Sequence, residues 1–176
     1  TGWSTAGQLV PATTPDWNAK EGHMRRFERD GDAWREVGAA APITVGRNGS
    51  AWGIGLHPTQ AGRPQDKGPV KREGDGRAAA GVFTIGTVFG YADAAATAMP
   101  YQAMTASDYC IDVNASPLYN RIVDAGVVGA DAVKDSTEPM RRDLHAGGDQ
   151  RYKLGFVIEH NPQNKPGAGS CIFAHL

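Results

Sequence analysis

A mainly β protein with short helices and long loops is the fold class this sequence predicts, and three observations predict it. Apolar residues alternate with polar ones, or gather in short runs bounded by turn residues, along much of the chain. Glycine and proline, 23 and 11 of 176 residues, punctuate it at strand-length intervals. Helical character is scarce, the longest stretch being Asp131–Leu144, where Pro139 interrupts it.

Taken in order, Gln8–Thr14 is the first expected strand, closed by Pro15. Met24–Val37 splits into two alternating runs about Asp30-Gly31-Asp32, and Asp-Gly between such runs signals a hairpin. Pro42–Gly46 is another short strand. The glycine-dense stretch GRNGSAWGIG follows and raises the question of a phosphate cradle. No G-x-x-x-x-G-K-[ST] is present and no helical pattern comes after it, so turns and close backbone approach are the better reading. His57–Pro69 is a polar loop. Lys71, Arg72, Glu73, Asp75 and Arg77 then crowd together, and two readings stand. One is a solvated hairpin tip. The other is a charged rim beside a cleft, where Lys71, Glu73, Asp75 and Arg77 bind a zwitterionic or carboxylate-bearing ligand.

Gly81–Phe89 carries the strand pattern, and the alanine-rich Ala92–Met99 is a short helix or a loop. Tyr109–Val113 is a strand that ends in a turn at Asn114-Ala115-Ser116-Pro117. Tyr152–Glu159 holds a buried strand through Phe156, Val157 and Ile158. His160–Gly169 is a loop, and Cys171–Ala174 is a final strand that delivers His175. No repeat or linker divides the chain, so residues 1–176 are expected to form one domain.

Composition bounds the function. A net charge of -1 gives no electrostatic case for nucleic acid or an anionic membrane. No apolar run approaches the roughly 20 residues of a spanning helix, so membrane insertion is not expected. The first residue is Thr with no basic leader before it, as in a processed, exported chain. In an oxidising compartment the two cysteines, Cys110 and Cys171, both in short apolar runs, are expected to form a disulfide. A buried free thiol is one alternative. Nucleophilic catalysis by Cys171 with His175 is another, and it meets an obstacle: residues four apart on one strand stand about 13 Å apart, beyond hydrogen-bond reach.

His23, His57, His145 and His160 show no H-E-x-x-H or Cys-x-x-Cys spacing, so no metal and no cofactor is expected. His160 reads as a core or turn histidine. Glu159 reads as a buried carboxylate that could pair with Lys71 or Arg77. Trp3, Trp17, Trp34 and Trp52 are too dispersed for a sugar platform, and core packing is the simpler reading.

Several segments together carry a resemblance. YKLGFVIEHN followed by GAGSCIFAHL is similar to part of the L,D-transpeptidase catalytic domain, the YkuD-like family. VGRNGSAWGIGL, KREGDGRAAAGVFTIGTVFGYA, MPYQAMT, YCIDVNASPLYNRIVD and the Glu138–Met140 neighbourhood match upstream, in the family's order. The likeness runs from about Pro42 onward and is weak over residues 1–41. It implies a sandwich-like β domain in the periplasm or extracellular envelope that acts on peptidoglycan stem peptides. A cysteine nucleophile and a histidine base would form an acyl-enzyme at a diaminopimelate carbonyl, followed by transfer to an amine or by hydrolysis. His175 matches the family's motif histidine. Tyr119 and Asn120 lie in the SPLYN segment, as a turn-stabilising pair or as substrate contacts. The family's S/T-x-G-C segment, which holds the nucleophile after that histidine, has no counterpart before Leu176. Two expectations follow: an L,D-transpeptidase-type enzyme that needs that further segment, or a non-catalytic envelope protein that binds peptidoglycan or a protein partner.

Overall fold

The computed structural model describes residues 4–58 and 67–176, and the chain forms two compact units that divide after Val82. In the first unit the strands are β1 (Gln8–Leu9), β2 (Ala12–Thr13), β3 (Glu21–Met24), β4 (Phe27–Asp30), β5 (Ala33–Glu36), β6 (Ala41–Thr44), β7 (Ser50–Trp52) and β8 (Ala78–Ala80). They make two three-stranded antiparallel sheets, β1-β4-β5 and β2-β3-β6, and a parallel pair, β7-β8.

The hairpin expected around Asp30-Gly31-Asp32 is β4–β5. Asp30 pairs with Ala33, and Gly31 has φ 59, the positive value a primed turn requires at its first central residue. The strand expected over Gln8–Thr14 is instead two short ones in different sheets, broken at Val10-Pro11. Proline has no N–H for the ladder, so the chain changes partner there. Core packing is the expectation for the tryptophans, but Trp17, Trp34 and Trp52 are half-buried and none belongs to the buried core. Trp17 and Trp52 stand 5.1 Å apart, Trp52 and His57 5.8 Å apart, and the Arg29 guanidinium covers the Trp34 ring at 4.5 Å. Trp3 and most of the polar loop expected at His57–Pro69 lie outside the described residues.

The second unit holds β9 (Ile85–Gly90), β10 (Tyr101–Ala103), β11 (Asp108–Cys110), β12 (Ile122–Asp124), α1 (Ala125–Val128), β13 (Glu138–Pro139), α2 (Arg142–His145), β14 (Leu154–Ile158) and β15 (Phe173–His175). A four-stranded sheet runs β10-β9-β14-β15 and a three-stranded sheet β12-β11-β13. Only the β9–β10 pairing in this unit is parallel among the described residues. The fold is therefore mainly β and mainly antiparallel, with two α-helices of a single turn each among the described residues.

Its core is a herringbone of rings that the strands bring together. Phe89, fully buried, meets Phe173 edge-on at 5.1 Å and Tyr152 at 5.8 Å, with Met104 and Met140 packed alongside. Such edge-to-face contacts add to the burial of the rings themselves.

Three expectations are corrected here. The strand expected over Gly81–Phe89 begins only at Ile85. The helix expected over Asp131–Leu144 becomes a 3-10 turn at Ala130–Ala132, then β13, then α2. Pro139 fits there because β13 is an edge strand, where a missing N–H costs no ladder bond. The last strand starts at Phe173, and Cys171 stands outside it with φ 56.

Candidate functional site around His175

His175 ends β15, an edge strand, directly across from Gly155 of β14. Gly155 leaves no room for a side chain, since a Cβ there would lie 2.7 Å from both the Ala174 oxygen and the Phe89 ring. The close approach of the two strands therefore fixes the position of His175. Its side chain is exposed, and its Nδ1 stands 3.0 Å from the Leu176 oxygen. That oxygen only accepts, so Nδ1 is the donor in this contact, and Nε2 has no hydrogen-bond partner among the described residues. The imidazole meets the Tyr152 ring edge-on, with centroids 5.3 Å apart.

Tyr152 is the top of a charged brace. Its hydroxyl donates to Glu138 Oε1 at 2.7 Å, and Arg142 Nη1 donates to the same oxygen at 3.2 Å. Arg142 Nε continues to Asp149 Oδ2 at 2.8 Å, and Arg151 Nε closes on that oxygen from the other side at 2.8 Å. Burial pushes the Glu138 carboxyl above its ordinary range, against the opposing pull of Tyr152 and Arg142. Burial, and then the Glu138 charge, push the Tyr152 hydroxyl far upward, so it stays a fixed donor. Arg151 first, then Arg142, hold Asp149 well below the carboxylate range. Sequence reading missed this brace. The i,i+4 spacing of Glu138 and Arg142 is the available signal, and it sits in a stretch whose pattern reads as irregular helix.

Cys110 and Cys171 form a disulfide, as expected from their number and setting. It closes a separation of 61 residues, worth about 4 kcal/mol in the chain-entropy account. What removes Cys171 from chemistry with His175 is this bridge, not the strand spacing, because Cys171 does not lie on β15. His160 is buried as expected, with its Nε2 at 2.9 Å from the Ala168 oxygen.

Tyr119 and Asn120 brace the loop from His160 to Cys171. The buried Tyr119 oxygen accepts from Gly169 N at 3.1 Å. The Asn120 Nδ2 donates to the His160 and Asn161 oxygens, and its Oδ1 accepts from Cys171 N at 2.9 Å. That amide is committed to the loop.

The expected charged group lies in the first unit. Lys71 is buried and its Nζ contacts Asp75 Oδ1 at 2.6 Å. Burial works to raise the Asp75 pKa, but Lys71 and the Arg72 and Arg77 amides outweigh it and leave the pKa below its usual value. Arg77 donates to the Trp17 and Ser50 oxygens and to Asn18 Oδ1. It also lines an open cleft of about 290 Å³ with Lys20 and Arg47. Lys71 and Arg77 thus bond within their own unit. Glu73 accepts from Gly74 N at 3.1 Å.

Among the described residues no group of three or more His, Cys, Asp or Glu could hold a metal ion, and no helix is long and apolar enough to cross a membrane. Compared with protein-family models, curated proteins and solved structures, the chain matches none.

Proposed function

We propose that this chain is part of an L,D-transpeptidase-type acyltransferase of the cell envelope, with a sandwich-like β fold and His175 as its general base. The observation that carries this reading is the state of His175: exposed on an edge strand, Nδ1 engaged, Nε2 open, and the ring seated on Tyr152. In that reading Nε2 takes the proton of a cysteine thiol as the thiolate attacks a stem-peptide carbonyl. The imidazolium then returns the proton to the leaving amine, and an amine or water resolves the thioester. The protonated Tyr152 and its Glu138–Arg142 brace hold the ring in place. The nucleophile must be a cysteine other than Cys110 and Cys171, whose sulfurs are bonded to each other. A disulfide also suits an exported protein.

The disulfide favours one second reading. With both of its cysteines bridged, this polypeptide could serve the envelope as a non-catalytic module that binds peptidoglycan or a protein partner. Mass spectrometry after incubation with a carbapenem separates the two. The 176-residue chain should gain no adduct, whereas a longer chain carrying an S/T-x-G-C segment should be acylated on that cysteine. In the longer chain His175→Ala should slow acylation by about 10²–10⁴-fold. An adduct on Cys171 would overturn the assignment of the nucleophile, and an inert longer chain would favour the binding module.

A further inference from the structure

The pairing of β14 with β9 shifts register between Phe156 and Ile158. Phe156 faces Val88 and Ile158 faces Ile85, so Gly86 and Thr87 together stand opposite Val157. A bulge of this kind bends the strand and re-aims the side chains beside it. A Cβ at position 86 would lie 2.0 Å from Glu159 Oε1, so any larger residue there displaces that carboxylate. The bare backbone of the bulge is the floor on which the Glu159 carboxylate lies. Glu159 is held by its backbone, whose N donates to the Thr84 oxygen at 3.0 Å. Its half-buried carboxylate has no hydrogen-bond or ion-pair partner among the described residues.

That carboxylate opens into a cavity of about 250 Å³, lined also by Thr87, Gln102, Ile122, Val157 and Phe173, with the disulfide in its wall. Asn120 borders it too, but its amide is committed to the loop above. One anionic group in a cavity that also offers the apolar side chains of Ile122, Val157 and Phe173 beside polar ones suits a cation carried on an apolar stem. A neutral ligand would leave the carboxylate unpaired and an anion would be repelled. A hard divalent cation favours several carboxylates, whereas Glu159 is the one carboxylate in this lining, and it would gain nothing from the apolar walls.

We propose that this cavity binds a primary alkylammonium group, of the kind that ends a lysine or diamino-acid side chain. The ammonium pairs with Glu159, Thr87 and Gln102 add oxygen acceptors, and the methylenes lie along Val157, Ile122 and Phe173. Glu159 follows β14 four residues after Gly155, the partner of His175. At the usual rise per residue the two side chains are separated by about 13 Å along the sheet. The cavity therefore recognises a part of a ligand remote from the imidazole, and it does not depend on acyl transfer taking place.

The test is an NMR titration of the 176-residue chain, following backbone amides. Nα-acetyl-lysine methylamide should produce saturable shifts at Thr87, Gln102, Glu159 and Phe173, and its Nε-acetylated analogue should not. Glu159→Gln should weaken binding at least tenfold, as should Gly86→Ala, which drives the carboxylate off its floor. The amide spectrum of each variant reports whether its fold is intact, and the comparison of the two probes on the unaltered chain needs no variant. Equal shifts from both probes, undiminished binding to a folded Glu159→Gln, or no saturable shift at millimolar ligand would each overturn the assignment.

Discussion

Arg142 is shared by two carboxylates that it finds in opposite states. Asp149 is pulled below its ordinary pKa by Arg151 and Arg142, while burial lifts Glu138 above its own despite the same guanidinium. The two therefore act on stability with opposite sign. A carboxyl with a lowered pKa in the fold stabilises it fully above the unfolded value, 3.8 for Asp149, and loses that contribution as the pH falls through the folded value. Asp149→Asn should lower the thermal midpoint at about pH 6, and its gap from the unaltered protein should narrow as the pH drops below about 4. Glu138 has a raised pKa, so the fold favours its neutral form. Relative to Glu138→Gln, the unaltered protein should lose ground as the pH rises through the Glu138 pKa. Thermal melts from about pH 2 to pH 7 check both, and parallel curves for Asp149→Asn and the unaltered protein would contradict the ion-pair account.

At the scale of elements, the sequence disclosed whatever local chemistry decides. The hairpin of β4 and β5 was legible because its turn needs a glycine at positive φ, and Gly31 stands where the alternation pauses. The strand pattern of Phe156–Ile158 was legible because its run of apolar residues is bounded by turn residues. Long-range partners decided the rest. Pro139 breaks a helix in isolation, yet it is at home on the edge strand β13 because β11 supplies the pairing. Cys171 looked like strand, but its φ of 56 follows from a bridge to Cys110 and a hydrogen bond to Asn120. His175 was found through a family likeness, and the Tyr152–Glu138 brace beneath it was missed because it joins a short strand, a one-turn helix and a turn within residues 138–152 rather than repeating along one regular element. Glycines show the same division between local and long-range causes. Gly74 and Gly49 both have positive φ, 70 and 87, but a Cβ at Gly74 meets nothing within 4 Å. At Gly49 it would lie 2.0 Å from the Trp17 oxygen. Gly74→Ala should then cost about 1 kcal/mol, the conformational penalty alone. Gly49→Ala should cost on the order of 3 kcal/mol or more, because backbone must also move. Denaturant midpoints would measure the difference, and equal costs would show that the contact at Gly49 yields freely.

At the scale of the whole molecule, the two units carry different natural probes. Trp3, Trp17, Trp34 and Trp52 all precede Val82, whereas Tyr91, Tyr101, Tyr109, Tyr119 and Tyr152 all follow it. Near-ultraviolet tyrosine signals therefore report the unit that contains the disulfide, and Tyr152 sits within its ring cluster. Cys110 anchors β11 of the three-stranded sheet, and Cys171 stands just ahead of β15 on the four-stranded one, so the bridge ties the two sheets of this unit together. Closing that 61-residue separation is worth about 4 kcal/mol. For a unit of this size each kcal/mol moves the midpoint by roughly 4–8 °C. Reduction, or Cys110→Ser with Cys171→Ser, should thus lower the tyrosine-detected midpoint by on the order of 20 °C. Thiol titration of the denatured, unreduced protein should meanwhile find no free cysteine. A tyrosine transition that barely moves on reduction would mean that the ring cluster around Phe89 holds the two sheets without the bridge. Two titratable thiols before reduction would instead restore Cys171 as a candidate nucleophile for His175.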